Sequence, residues 1–424
     1  MATYSATATH VTQAISCHAV TLSGNLLAIC PNTSDVIILE RVSGTWQVIQ
    51  RLEGHDQVVS GLHFTEDGQG VVRLVSSSHD RNSYVWTRGG DSGTSGGSSS
   101  KGSSKGSSWS PELVITKLSR AGLCVQWSPG GRKFAIGSSE KSVCVCYYDN
   151  NKELWAPKLI RKQHDSSVTA LAWHPSGHVL ATGSTDGQCR LLYATIPEVD
   201  GSPTDAFGAL GSSRFGEMLL ELPSNTWVLA VAWSPTGDTL AFCGQDSTLT
   251  LVSGLDLGDP SSLSVAAGGS TGGNNSSSSH RLQRLKLPGL PLKCLAFLAD
   301  SLLVGAGFDF HPLLFHQQRD GQWQLVHMQQ GEQQASKPQA AKGGSSLSAR
   351  IKMFESQVAK PQPAASTSVQ TDSKRTDAAG SKLHSNCIMC VTPPGTTRNA
   401  NAGRFHFITS GLDGKVVEWQ LQLL

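Results

Sequence analysis

The sequence predicts an all-β fold, a seven-bladed β-propeller, from a repeated strand–turn–strand unit, an acidic residue after each unit, and the spacing of those acidic residues. The unit is clearest at Trp127 (WSPGGRKFAIG), Trp173 (WHPSGHVLATG) and Trp233 (WSPTGDTLAFCG). In each, a Pro/Gly turn separates two apolar runs, which is the pattern of a β-hairpin. Looser copies complete a set of seven and begin at Ala19, Phe64, Phe297 and Phe405.

An acidic residue follows every unit and precedes a third predicted strand. These residues are Asp35, Asp80, Glu140, Asp186, Asp246, Asp309 and Asp413. The intervals from Asp35 to Asp80 and from Glu140 to Asp186 are close to the roughly 40–45 residue period of a WD40 blade. The longer intervals contain inserts. Four-stranded units at this period, without a long helical pattern, predict one WD40 propeller domain over residues 1–424.

The inserts lie at about 89–108, 196–216, 254–280 and 328–382. Three of them, at 89–108, 254–280 and 328–382, are predicted to be disordered, because a chain rich in Gly, Ser, Gln, Pro and Lys buries too little apolar surface to offset the entropy of ordering. The residues before Ile15 are predicted to form the outer strand of the last blade. This strand would close the ring and leave no free sheet edge between its first and last blades.

The composition and net charge of the chain argue against several classes of protein. The 424 residues carry a formal net charge of +2 and are 38% hydrophobic, so nucleic acid is not an indicated partner. Neither a signal peptide at the N-terminus nor a run of about 18 apolar residues is visible, which predicts a cytoplasmic protein without membrane insertion. Ten cysteines within strand-like stretches indicate reduced thiols.

One set of polar residues resembles a hydrolase triad on paper. His55, Asp80 and Trp86 lie on either side of the serines at 76–78. In a propeller blade the same residue types form a structural tetrad, since a buried carboxylate requires hydrogen-bond partners. An acyl-transfer site would also need a nucleophile on a strained turn and an oxyanion hole, and the sequence shows neither.

Other chemical motifs are weak. His384, Cys387 and Cys390 have the spacing of half a zinc site, but a structural zinc needs a second ligand pair, so core thiols are favoured and no metal is predicted. No GxxxxGK[ST] loop occurs, and no pair of carboxylates stands apart from the repeat positions. The chain is therefore predicted to be non-catalytic and without a cofactor. A propeller hydrolase is the alternative from another class.

One short stretch of the last insert has a helical pattern. In SLSARIKMFESQ (346–357), Leu347, Ile351 and Phe354 occur at i, i+4 and i+7, which places them on one side of a helix. Serines at the start of the stretch could cap that helix. A solvated linker with an incidental apolar stripe is the competing interpretation.

Several stretches resemble one WD-repeat family, the propeller subunit (subunit 1) of the actin-related protein 2/3 (Arp2/3) complex, over all seven blades. The similar stretches are ISCHA (15–19), AICPN (28–32), DRNSYVW (80–86), LVITKLSRA (113–121), CVQW (124–127), FGEM (215–218) and PLLF (312–315). In that family a helix projects from the insert between blades 6 and 7, and Leu347 to Arg350 with Phe354 is similar to it. This chain departs from the family in its Gly/Ser insertions and in a chain end soon after Trp419.

The resemblance implies a structural role in nucleating branched actin filaments. The implied partners are the two actin-related proteins and the other subunits, the actin filament and nucleation-promoting factors, in the actin cytoskeleton. Leu347, Arg350, Ile351 and Phe354 would form a secondary contact to actin or to such a factor. The alternative within the fold is another WD-repeat adaptor, for example a substrate receptor of a ubiquitin ligase.

Overall fold

The computed structural model describes residues 2–89, 108–201, 213–257, 281–330, 383–395 and 403–423. The strands form seven sheets arranged as the blades of a propeller, and neighbouring strands within a blade are antiparallel except for one parallel pair at the edge of the last blade. The predicted seven-bladed WD40 propeller is confirmed.

The chain begins with the strand β1 (Ala2–His10), which belongs to the last blade, and then builds three blades in order. Blade 1 is β2 (Cys17–Val20), β3 (Leu26–Cys30), β4 (Val36–Val42) and β5 (Thr45–Leu52). Blade 2 is β6 (Val59–Glu66), β7 (Val72–Ser78), β8 (Ser83–Arg88) and β9 (Trp109–Val114). Blade 3 is β10 (Gly122–Trp127), β11 (Lys133–Ser138), β12 (Val143–Asp149) and β13 (Leu154–Ile160).

Blades 4 to 6 follow the same pattern. Blade 4 is β14 (Val168–Trp173), β15 (Val179–Ser184), β16 (Gln188–Tyr193) and, after the short helix α1 (Pro197–Asp200), β17 (Met218–Pro223). Blade 5 is β18 (Val228–Trp233), β19 (Thr239–Gly244), β20 (Thr248–Ser253) and β21 (Arg281–Lys286). Blade 6 is β22 (Leu292–Ala299), β23 (Leu302–Gly307), β24 (Leu313–Gln317) and β25 (Trp323–Val326).

Blade 7 has five strands. Its sheet contains β26 (Met328–Gln330), β1, β29 (Lys415–Leu423), β28 (Arg404–Gly411) and β27 (Ile388–Thr392), in that order. The N-terminal strand pairs antiparallel with β29 from Ala2↔Leu423 to His10↔Lys415, which confirms the predicted closure of the ring. The strand β26 pairs in parallel with the outer side of β1, although it lies at the start of the 328–382 stretch that was predicted to be disordered.

The repeated Pro/Gly turn explains the strand–turn–strand unit. Gly177 and Gly237 have φ angles of 77° and 87°, in the left-handed region that glycine adopts without strain. Their amides donate to His174 O and Ser234 O, at 2.8 and 3.0 Å. In blades 4 and 5 the turn therefore brings the first two strands together over the same number of residues.

The hydrophobic core lies between neighbouring blades. One cluster joins Trp233 and Phe242 of blade 5 to Val179 and Leu191 of blade 4, and a second joins Trp86 of blade 2 to blade 1. Each blade thus buries its apolar side chains against the next blade, as repeat architectures do. In the part of the chain that the structure describes, no helix is long and apolar enough to cross a membrane.

The closing seam between blades 7 and 1 has polar contacts in addition to the β1–β29 pairing. Trp46 Nε1 donates to Glu418 Oε1 at 2.6 Å, and Arg41 forms an ion pair with the same carboxylate. Burial would raise the pKa of Glu418, but hydrogen bonds, Arg41 among the donors, lower it overall. A Cβ at Gly414 would lie 1.5 Å from Thr12 O, so only glycine lets the N-terminal chain cross blade 7 there.

His18 makes the closing seam sensitive to pH. Its Nδ1 lies 2.6 Å from Ser410 Oγ, and burial lowers its pKa to about 3 from an ordinary value of 6.5. Between those pH values the unfolded chain binds a proton that the folded chain does not bind, so stability falls as the pH is lowered through this window. The loss attributable to His18 is about 1.4 kcal/mol per pH unit.

We expect His18→Asn, which can keep a hydrogen bond to Ser410, to make stability less dependent on pH, because about one proton fewer is taken up on unfolding. The measurement is denaturant unfolding from pH 7 to pH 4.5, with the variant and the native chain compared at each pH. His63 and His174, whose pKa values burial lowers to about 4, titrate in both chains and cancel in the comparison. Parallel stability curves for the two chains would contradict the assignment.

Candidate functional site

The residues His55, Asp80 and Trp86 meet inside blade 2. His55 Nδ1 lies 2.8 Å from Asp80 Oδ2, and its Nε2 lies 2.8 Å from Ser76 Oγ. Trp86 Nε1 donates to the same Ser76 oxygen at 2.9 Å. The four side chains form one buried hydrogen-bonded chain that joins the loop before β6 to the strands β7 and β8.

The same arrangement recurs in blade 7. His384 contacts Asp413 through Nδ1, at 3.1 Å, and Thr409 Oγ1 through Nε2, at 2.8 Å. Trp419 Nε1 donates to Thr409 Oγ1 at 2.8 Å. Burial would raise the pKa of Asp413, but hydrogen bonds from His384 and from Ser385 N lower it overall. This network uses both ring nitrogens of His384, the residue whose spacing suggested half a zinc site.

Blade 4 contains a charged variant of the network. His164 contacts Thr182 Oγ1 at 3.0 Å. Leu192 has the position in the sheet that Trp86 and Trp419 have in the other two blades, and Arg190, which pairs with Thr182, joins the network instead. The Arg190 guanidinium donates to Asp186 Oδ2 at 2.7 Å and also lies 2.7 Å from Glu221 Oε1. The sequence analysis placed Asp186 among the acidic residues of the repeat but missed Arg190.

These networks do not have the geometry of a hydrolytic site. Ser76 Oγ is fully buried and already bonded to both His55 and Trp86. Burial lowers the pKa of His55, against the opposing effect of Asp80. A nucleophile must reach a substrate, and a buried hydroxyl within a saturated network cannot. Within the described ranges, no group of three or more His, Cys, Asp or Glu side chains could hold a metal ion.

The predicted partner-binding residues Leu347, Arg350, Ile351 and Phe354 lie outside the described residues. The structure does describe the chain on both sides of them. On the N-terminal side, β26 pairs with β1 through Ala2↔Met328 and Tyr4↔Gln330. On the C-terminal side, the described chain resumes at 383, and His384 is bonded into the blade 7 network. The described residues on both sides of 331–382 are therefore fixed on blade 7.

Comparison with known proteins identifies the family. The family described as "WD domain, G-beta repeat" matches residues 46–87 and 216–253. "Anaphase-promoting complex subunit 4 WD40 domain" matches residues 123–199. "Actin-related protein 2/3 complex subunit 1B" of Arabidopsis thaliana is 36% identical over 412 residues, which cover 97% of this chain and 95% of the relative. The chain belongs to the Arp2/3 complex subunit 1 family.

Other members of the Arp2/3 complex subunit 1 family match nearly as much of the chain. The Arabidopsis thaliana subunit 1A is 35% identical over 97% of this chain and 95% of the relative. Subunit 1 of Schizosaccharomyces pombe is 28% identical over 92% of both chains. The match to subunit 1 proteins thus spans the whole propeller, whereas the two WD40 descriptions cover single blades or pairs of blades. The family resemblance inferred from the sequence is confirmed.

Proposed function

We propose that the chain is a non-catalytic structural subunit of the Arp2/3 complex and supports the nucleation of branched actin filaments in the cytoplasm. The observation that carries this proposal is the identity of 36% to a subunit 1 protein over 97% of the chain. Its partners would be the other subunits, including both actin-related proteins. The buried state of the three histidine networks supports a non-catalytic role, because none offers a reactive group to a substrate.

The stretch 346–357 would serve as a secondary contact to filament actin or to a nucleation-promoting factor. Burial of Leu347, Ile351 and Phe354 in a partner's groove would contribute about 1.5–3 kcal/mol each. Ordering a dozen residues costs about 1–2 kcal/mol apiece, so the isolated contact is weak. It becomes effective when the propeller is already held in an assembly, because tethering raises the local concentration of the segment.

The fixed residues on both sides of 331–382 support this role. The pairing of β26 with β1 and the bonds of His384 hold both ends on blade 7. The stretch 341–375 also carries an excess of basic residues, with Arg350 and Lys352 beside the apolar stripe. An acidic surface would attract it, and added salt would weaken that attraction.

A different WD-repeat adaptor remains the alternative for the fold, and the match of residues 123–199 to the anaphase-promoting complex subunit 4 domain is the observation that favours it. That match covers about one and a half blades. A stable set of ubiquitin-ligase subunits with the purified chain, and no actin-related protein, would favour the adaptor.

We expect Leu347→Ala, Ile351→Ala and Phe354→Ala together to leave folding and complex assembly intact and to lower the rate of branch formation. A net contact of about 1 kcal/mol corresponds to about fivefold in rate. The measurement is branching by fluorescence microscopy with complex purified through the variant chain. Ser356→Ala, on the opposite side of the predicted helix, is the matched control and should branch at the native rate. Failure of the triple variant to assemble would instead make the stretch a packing element.

A further inference from the structure

The loops before blades 5 and 6 differ from those before blades 2, 4 and 7. In blades 2, 4 and 7 a buried histidine in this loop contacts the aspartate of the repeat. The loops before blades 5 and 6 read SNTW (224–227) and LPGLP (287–291) and contain no histidine. The aspartates Asp246 and Asp309 therefore have other partners, among them residues of these loops.

Each of these aspartates fixes its loop through hydrogen bonds. Asp246 N donates to Thr226 Oγ1 at 3.2 Å, and the neighbouring Gln245 N donates to Trp227 O at 3.0 Å. In blade 6, Leu290 N donates to Asp309 Oδ2 at 2.8 Å, and a Cβ at Gly289 would lie only 2.1 Å from that oxygen. In blades 5 and 6 the aspartate of the repeat thus holds the loop directly, whereas in blades 2, 4 and 7 it contacts the histidine of the loop.

The fixed loops and the adjoining turn present large apolar side chains to solvent. Trp227 and Leu290 are each 53% exposed, and Phe308, which directly follows β23, is 39% exposed. Phe308 N donates to Pro291 O, so the turn and the loop of blade 6 are joined. Trp227 and Leu290 precede the neighbouring inner strands β18 and β22, whose blades are linked by Cys243 Sγ donating to Leu292 O at 3.4 Å. We name these three residues the apolar rim.

The charges around the apolar rim distinguish it from the corresponding edge of blade 3. The loops 224–227 and 287–291 contain no charged residue, and the adjoining Asp246 and Asp309 are only partly exposed and accept hydrogen bonds from Thr226 and Leu290. The loops of blade 3 on the same side of the ring expose Lys117, Arg120 and Lys141, and those leading to blade 4 expose Arg161 and Lys162. The centre of a stable protein interface is depleted of charge and enriched in Trp and Phe, which the apolar rim matches. Pro288 and Pro291 limit the freedom of Leu290 before binding, so less entropy is lost on contact.

We propose that the apolar rim is an assembly surface that receives an uncharged, apolar segment of another subunit of the complex. This inference rests on the proposed function, since it takes the chain to be a complex subunit. A stable subunit needs a permanent interface, and permanent interfaces are more hydrophobic than transient ones. The loops themselves carry no charge, and Asp246 and Asp309 already accept hydrogen bonds, so this surface is a poor partner for Arg350 and Lys352, which would accompany the apolar stripe of the chain's own stretch 346–357.

Photo-crosslinking in the assembled complex tests the surface directly. A benzophenone side chain at position 227 is expected to form a covalent product with one other subunit of the purified native complex. The same group at position 154, where Leu154 is 46% exposed on the outer strand of blade 3, is the matched control and should give no such product. A product with a second copy of this chain, an internal product with residues 346–357, or no product at position 227 would overturn the proposal.

A pull-down with variants separates this inference from the proposed function. Trp227→Ser, Leu290→Ser and Phe308→Ser together should reduce recovery of the other subunits by about tenfold or more, as loss of several central anchors does, while Val48→Ser, Ile49→Ser and Leu154→Ser should not. Equal melting temperatures establish that both variants fold. Native recovery by the triple variant would overturn the apolar rim alone. Absence of actin-related proteins with the native chain would overturn the proposed function.

Discussion

Deletion of residues 2–10 is expected to open the ring and to lower the free energy of unfolding by about 5 kcal/mol or more, the lower end of the stability of a typical domain. The deleted strand pairs with β29 along its whole length, and Tyr4 packs on Trp419 with ring centroids 5.3 Å apart. Its loss would expose Trp419 and Leu421 and would release β26. Exposure of each large apolar side chain costs about 1.5–3 kcal/mol.

The measurement is thermal unfolding followed by circular dichroism, with light scattering to detect aggregation through the new sheet edge. A deletion of nine residues within the Gly/Ser-rich stretch, at 93–101, is the matched control. Shortening an insert that is predicted to be disordered changes its closure entropy by well under about 1 kcal/mol, so this control should melt with the native chain. If the two deletions melted at the same temperature, β1 would not be the strand that closes the ring.

Trp86→Ala is expected to lower the free energy of unfolding by about 3–5 kcal/mol, as large-to-small changes of buried aromatic residues do. Trp86 is 2% exposed, packs in the cluster between blades 1 and 2, and donates to Ser76. Its removal therefore leaves both a cavity and one fewer partner for the buried network. Asp80→Ala should cost about 2–5 kcal/mol, because His55 and the amides of Asp56 and Asn82 lose their acceptor.

Denaturant unfolding at pH 7 measures both changes. Trp227→Ala is the control for Trp86→Ala, because it removes an indole of the same size that is 53% exposed. We expect that control to stay within about 0.5 kcal/mol of the native chain, as surface substitutions usually do. Unchanged stability in Trp86→Ala or Asp80→Ala would contradict the structural role of the blade 2 network.

The seven blades could be predicted from the sequence because the signals for each blade lie close together in the chain. The Pro/Gly turns around Gly177 and Gly237 and the aspartates Asp80 and Asp413 occur at fixed distances from the strands that they join. The closure by residues before Ile15 was predictable from topology, since a propeller whose last blade lacked its outer strand would leave an exposed edge.

The features that the sequence analysis missed depend on contacts between distant residues. Met328–Gln330 has the composition of the glutamine-rich insert, and it forms a strand because β1 offers a free edge beside it. Lys133 is fully buried because its amine donates to Ala194 O at 2.8 Å and pairs with Asp200 of α1. A lysine and a short PEVD stretch in separate blades give no local signal of that pairing. The apolar rim likewise could not be predicted, because it forms only where the loops before blades 5 and 6 lie side by side.

Co-purification tests the central claim, membership of the Arp2/3 complex, most directly. The tagged full-length chain would be isolated from its native cytosol, washed at moderate salt, and the bound proteins identified and quantified by mass spectrometry. The account predicts both actin-related proteins at a fixed ratio to the chain. Recovery of a ubiquitin-ligase or other scaffold set, with neither actin-related protein, would contradict membership of the complex. The propeller fold would be unaffected.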